Sequence, residues 1–272
     1  MFKLNAKHLL ASTTTLTVAL GAVAIAPLSA KAASFGTSSD NGQKLCDYRA
    51  DCSLQNLLDE ITTSEEKIDT VNDQSAIELF TPNASSSFTS SFMFEVAGYK
   101  NVNEFGIYKK GTPGTRITLF DGADTPDSTA PFANQATLQF AGNGSALYDG
   151  VVYEDFGSDF GFFLKSKNDG YFYTEDALNE NGNEQSVIYQ GGGDVDIQIP
   201  YGARPGNFDE DDWIVAFEDV LLDVSDKDYN DFVVLVTDLE AADVPEPATL
   251  AGLGLVAAAM AVSRRRQNKK NS

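Results

Sequence analysis

An antiparallel β-sandwich is the fold class this sequence predicts, and three observations predict it. From about Ala76 onward, short apolar runs of strand length alternate with Gly, Asn, Asp and Pro, roughly a dozen of them in one stretch. Two of the runs, Trp213-Ile-Val-Ala-Phe217 and Phe232-Val-Val-Leu-Val236, are apolar on both alternating faces. Strands of that kind lie inside a sheet covered on both sides. Helical spacing occurs only before this region and at the two ends, so the expected architecture is all-β and jelly-roll-like, with a short N-terminal helix and terminal signal and sorting helices.

The chain has 272 residues, and its ends stand apart from the expected fold. Residues 1–33 read as a secretory signal peptide. Lys3 and Lys7 form the positive start, Leu9 to Ile25 the apolar core, and Ala30-Lys31-Ala32 a small-x-small cleavage site. The competing reading is an amphipathic first helix.

Residues 34–75 form a lead-in that carries a short helix. Cys46 and Cys52 are the only cysteines. An even count in an exported chain favours one small-loop disulfide, with two free thiols or a metal pair as alternatives. Ser53 is a good N-cap, and Leu54, Leu57, Leu58 and Ile61 fall at helical spacing, a core-packing face.

Residues 76–240 are expected to form a single sandwich domain. Phe88, Phe92, Phe94 and Val96 share one face of the run 86–97, which marks a strand. Further strands are expected at 105–108, 116–120, 137–140, 151–153, 160–164, 171–173, 186–189 and 195–199, followed by the two buried ones. About 170 residues are ample for one core.

Between the two buried strands lie Glu218, Asp219, Asp223, Asp226, Asp228 and Asp231, with Lys227 the only cation. Carboxylates crowded beside buried strands repel one another and are costly to desolvate without a partner. A hard cation taking oxygen ligands offsets both costs, and outside the cytoplasm that cation is Ca²⁺. Asp226-x-Asp228-x-Asn230 has the alternating spacing of calcium-loop ligands, but it is not an EF-hand: position six is Asp231 and position twelve Thr237. The expected ligands therefore come from two strand ends: Glu218 and Asp219 from one, Asp226, Asp228, Asn230 and Asp231 from the other. The alternative is a solvated acidic loop that caps backbone N–H groups. Asp209-Glu-Asp-Asp212 reads as such a solvated face, and Asp176, Asn179, Asn181 and Asn183 as turn chemistry.

Phe217-Glu218-Asp219 followed by Asp228-Tyr229-Asn230-Asp231 resembles the signature of the DUF4114 family of bacterial secreted β-domains. The resemblance extends through Ser91–Tyr99, Glu104–Tyr108, Asp159–Leu164 and Tyr171–Asn179, and is strongest over 155–238. It implies an extracellular β-sandwich whose acidic residues hold calcium, and it does not imply an enzyme. Ser225-Asp-Lys227 stands where the family pattern has Gly-Gly-Asp, a departure that stiffens the turn.

Residues 244–272 hold Val244-Pro-Glu-Pro-Ala248, an apolar segment to Val262, then Arg264-Arg265-Arg266 and Lys269-Lys270. A helix over 248–262 spans about 22 Å at ~1.5 Å per residue, short of a ~30 Å hydrocarbon core. Snorkelling arginines close the gap, and the basic cluster keeps the tail cytoplasmic. Pro245, Glu246 and Pro247, the short helix and the Arg264–Arg266 cluster resemble the PEP-CTERM sorting signal. That resemblance implies an exosortase as partner, transient anchoring in the inner membrane through 248–262, release to the cell surface or exterior, and a link to exopolysaccharide, biofilm or matrix assembly.

Charge agrees with export. The body 34–247 holds 11 basic and 40 acidic residues, a net charge of −29 against −21 for the whole chain. Such a surface repels nucleic acid and attracts cations. His8, the only histidine, leaves with the signal peptide. Histidine-dependent triads and metal sites are thereby excluded from the body. The expected function is a non-catalytic surface or matrix protein. A carbohydrate-binding module is the alternative, and a glycoside hydrolase a remote one.

Overall fold

The computed structural model describes residues 33–35, 53–84, 86–94, 102–122, 135–198 and 206–242. Residues 1–32 of the expected signal peptide, Cys46 and Cys52, residues 95–101 with Val96, Ile199, and the sorting segment from 243 onward lie outside the described residues. One α-helix opens the described fold: α1 (Leu54–Ile61), whose N-cap Ser53 accepts the N–H of Asn56 at 3.3 Å. Its first strands are β1 (Phe80–Pro82), β2 (Ser87–Phe94), β3 (Glu104–Lys109), β4 (Thr112–Phe120) and β5 (Gln135–Phe140). Then come β6 (Ala146–Tyr148), β7 (Val151–Tyr153), β8 (Phe160–Ser166), β9 (Gly170–Tyr173) and β10 (Ser186–Gln190). The last are β11 (Asp196–Ile197), β12 (Gly206–Asn207), β13 (Trp213–Phe217), β14 (Phe232–Thr237) and β15 (Leu239–Ala241).

Two large antiparallel sheets face each other, and β11 pairs with β12 in a separate two-stranded sheet. One large sheet runs β10-β13-β14-β2-β5-β6-β7, the other β15-β1-β8-β3-β4 with β9 on the far part of β8. The fold class read from the sequence is therefore the fold observed. Phe105, Ile107, Phe160, Phe162 and Leu164 from one sheet meet Phe88, Leu138, Trp213, Val215, Phe217, Phe232, Val234 and Val236 from the other in one buried cluster. Its centre is aromatic. Phe105 lies 5.4 Å from both Phe162 and Phe232, ring centre to ring centre, in stacked arrangements, a geometry that adds to simple burial.

The second face of β13 and β14 is covered too. Ile214, Ala216, Val233 and Leu235 pack with Leu54, Leu57, Leu58 and Ile61 of α1 and with Val195, Ile197 and Phe208. Alternate residues of a strand point to opposite faces, so one set fills the sandwich and the other takes the helix. This is the physical reason both runs lack polar positions.

Four short strands, β1, β6, β12 and β15, carry little strand signal in the sequence. The β6–β7 hairpin closes on Asp149-Gly150, both with positive φ (48° and 75°). Two left-handed residues in a two-residue loop match the twist of a hairpin. At Asp238, φ +68°, the chain turns sharply from β14 in one sheet to β15 in the other.

Candidate metal centre

The 218–231 segment joins the ends of the antiparallel pair β13–β14, where Phe217 faces Phe232. Buried Gln185 holds its start, donating to Val220 O at 2.9 Å and accepting from Leu222 N–H at 3.0 Å. Tyr229 pins its end: the ring packs beside α1 and the hydroxyl donates to Glu184 O at 2.8 Å. These anchors fix where the acidic side chains point.

Glu218, Asp226 and Asp228 converge. Each offers a carboxylate oxygen, and the three oxygens lie within 4.8 Å of one another. Glu218 has no exposed surface. Its Oε1 accepts the N–H of Tyr229 at 2.6 Å, while Oε2 is buried and accepts no hydrogen bond. Asp228 is buried and accepts from the Asn230 backbone at 3.3 Å and from the Asn230 side-chain amide. Asp226 is exposed at the mouth. Burial, reinforced by the charges of Asp226 and Asp219, pushes the Glu218 carboxyl up to about 7.

Asp219 and Asp231 turn the other way. β13 ends at Phe217 and Asp219 lies in the bend that follows, so Glu218 and Asp219 meet different partners. Asp231 Oδ2 accepts the Asp219 N–H at 2.9 Å, and Asp219 Oδ2 accepts from Asn103 Nδ2 at 3.1 Å. Burial raises both carboxyls, and the Asp219 charge raises Asp231 further. Six residues expected around one centre thus divide. Glu218, Asp226 and Asp228 share it, Asn230 orients Asp228, and Asp219 with Asp231 forms a neighbouring pair tied to Asn103. The sequence reading missed Asn103, which arrives from just before β3, 116 positions from its partner; no local motif could announce it.

Two residues of this loop are left-handed: Lys227 at φ +60° and Tyr229 at φ +54°. That conformation costs a non-glycine residue about 1 kcal/mol. Lys227→Gly should therefore stabilise the protein by roughly 0.5 kcal/mol, because glycine's larger unfolded-state entropy returns part of the gain. Urea unfolding of the two proteins checks the sign.

The other acidic runs are built differently. Asp209 and Asp212 close a turn on each other, Asp212 Oδ2 accepting the Asp209 N–H at 3.1 Å, and Asp211 accepts from Asn83 at 2.9 Å. Asn179 caps its own turn through Tyr173 and Asn183. Burial pushes Asp212 up to about 6, and burial with the Glu78 charge does the same to Asp176. Both keep a proton in the folded state that the unfolded chain releases above its ordinary value of 3.8. Their cost is absent below that value, grows as pH rises through the window, and is complete above about 6. The melting temperature in chelator should fall across that range, and Asp176→Asn should flatten the fall.

Aromatic side chains do not form an open sugar platform among the described residues. Trp213 is fully buried and donates to Leu239 O at 3.0 Å. Tyr171 and Tyr173 are nearly parallel, 20° apart, but the Arg116 guanidinium lies 3.7 Å from the Tyr171 ring centre, and Tyr173 is 8 % exposed.

No helix among the described residues is long and apolar enough to cross a membrane; segment 248–262 lies outside them. Residues 243–266 match the PEP-CTERM protein-sorting motif. No curated protein and no solved structure matches the chain. The motif marks an exported protein, sorted during membrane transit, with an exosortase as its processing partner.

Proposed function

We propose that this chain is a non-catalytic cell-surface or extracellular-matrix protein, stabilised by one calcium ion and linked to exopolysaccharide or biofilm assembly. The observation that carries the calcium reading is Glu218: a wholly buried carboxylate with one oxygen unpartnered, facing two further carboxylates. A buried charge left uncompensated costs several kcal/mol, and Ca²⁺ takes six to eight oxygens from carboxylates, carbonyls and water. Glu218 and Asp228 would hold the ion from inside and Asp226 from the solvent side, leaving the remaining positions to water or backbone oxygens.

The DUF4114 resemblance of Phe217–Asp219 and Asp228–Asp231 supports the same reading, as does the acidic body. A body of net charge −29 repels itself, and divalent ions outside the cell relieve that repulsion. The tail would be cut near Pro245-Glu246-Pro247, freeing the body at the cell exterior. Cell fractionation with mass spectrometry of the intact protein tests the destination. The expected species begins at residue 33 or 34, lacks 248–272 and is found at the surface or in the matrix. A species that keeps both ends and stays in the inner membrane would contradict it.

A further inference from the structure

The outer face of β4, β3, β8 and β9 is built from rings and one arginine. Tyr108, Phe163 and Tyr173 form a small buried cluster there, separate from the two large ones. Tyr108 lies flat across Gly161, its neighbour on β8; a Cβ at that position would overlap the tyrosine ring. Arg116 reaches over these rings from β4. Its guanidinium carbon is 3.7 Å from the centre of the Tyr171 ring, and 5.6 and 5.8 Å from those of Tyr173 and Phe163. Nη2 donates to the Tyr173 hydroxyl. Tyr171 is 37 % exposed, so the cluster opens to solvent beside the arginine.

Charge sets this face apart from the rest of the body. Its four strands and the turn residue Lys110 hold the basic residues Lys109, Lys110, Arg116 and Lys165 and a single acid, Glu104. Lys165 pairs with Glu104, Lys110 with Asp159, and Lys109 donates to Asp155 O. Among the described residues no carboxylate pairs with Arg116, and its Nε–H is buried without an acceptor. The ring faces offset part of the cost of drawing this cation out of water. They offer its N–H groups no acceptor, and a guanidinium is shaped to grip a carboxylate through two of them. We propose that Arg116, framed by Tyr171 and Tyr173, binds the carboxylate of a sugar acid, a uronate unit of an extracellular polysaccharide. This rests on the reading that the body meets polysaccharide outside the cell. The acid meets the guanidinium, and the C–H face of the sugar ring covers the exposed part of Tyr171. The acidic remainder of the body turns anions away, so a uronate chain is held at this face and nowhere else on the sandwich.

The test titrates the exported protein, in millimolar calcium, with trigalacturonate and with the uncharged galactose trimer, binding followed by NMR. Arg116→Gln should weaken trigalacturonate binding about tenfold or more and leave the neutral trimer unchanged. Arg116 also braces the sheet, so a second variant keeps its contacts. Thr118 is exposed on the same face of β4, and Thr118→Asp should weaken binding roughly two- to fivefold without lowering the melting temperature. Trigalacturonate binding that both variants leave unchanged overturns the site, and so does a neutral trimer bound as tightly as the acid. A protein that ignores the acid, yet is dimeric in sedimentation and monomeric as Arg116→Gln, overturns it in favour of an acidic loop of a second copy. No binding of the acid by a protein that fractionation finds at the surface overturns this site alone. Arg116-dependent binding by a protein that fractionates with the inner membrane overturns the destination and leaves the site standing.

Discussion

Glu218→Gln should abolish the stabilisation by calcium and, in chelator at pH 8, melt above the unmodified protein. Glu218 is without exposed surface, and burial holds its carboxyl at about 7. Above that pH the metal-free protein carries a buried charge that only the Tyr229 N–H and the Ser225 hydroxyl oppose. Glutamine keeps the shape and the acceptor for Tyr229 N–H, and its amide can donate toward Asp226 or Asp228. The calcium-free penalty then disappears, but so does the ion's inner ligand. For the unmodified protein, calcium at 100-fold its Kd contributes about 2.7 kcal/mol, or roughly 5–10 °C for a domain of this size. Differential scanning calorimetry of both proteins, each in millimolar calcium and in chelator, checks the crossing. A Glu218→Gln protein that melts lower in chelator would show that the carboxylate is a net stabiliser without any ion.

Phe105→Ala should be the most damaging single change in the sandwich. Its ring stacks on Phe120, Phe162 and Phe232 and meets Phe217 edge-on, 5.4 to 6.2 Å between centres. It joins both sheets close to the strand ends that carry the acidic loop. Truncating a buried phenylalanine costs about 3–5 kcal/mol, through lost burial and the cavity left behind. At about 2–4 °C per kcal/mol the melting temperature should drop by roughly 6–20 °C. A calcium ion held only by the folded form would recover part of that loss. Thermal unfolding of Phe105→Ala with and without calcium measures both effects.

Those two residues were not equally legible in the sequence. Phe105 lies in a run whose alternation marks a strand, and the runs at 213–217 and 232–236 announce burial on both faces. Ser53 with the Leu54, Leu57, Leu58 and Ile61 stripe announces α1. The partner of that stripe could not be read locally, because the second face of β13 and β14 is a tertiary neighbour. β15 is a three-residue strand, Leu-Glu-Ala, with no β-branched residue. It exists because Trp213 and β1 hold it, contacts that only the folded chain contains. At the site, composition located the carboxylates but not their division. Glu218 and Asp219 are adjacent in sequence, and it is the bend after β13 that gives them different partners. The left-handed backbone at Lys227 and Tyr229 was not legible, because neither residue type signals a positive φ.

Buried Glu218, with Asp226 and Asp228, is proposed to grip a calcium ion. Calorimetric titration of calcium into the chelator-treated exported protein, followed by a melt at each concentration, tests it most directly. One saturable site is expected, with a melting temperature that climbs with free calcium as mass action requires. The same melting temperature in millimolar calcium and in chelator, with no heat of binding, would contradict it.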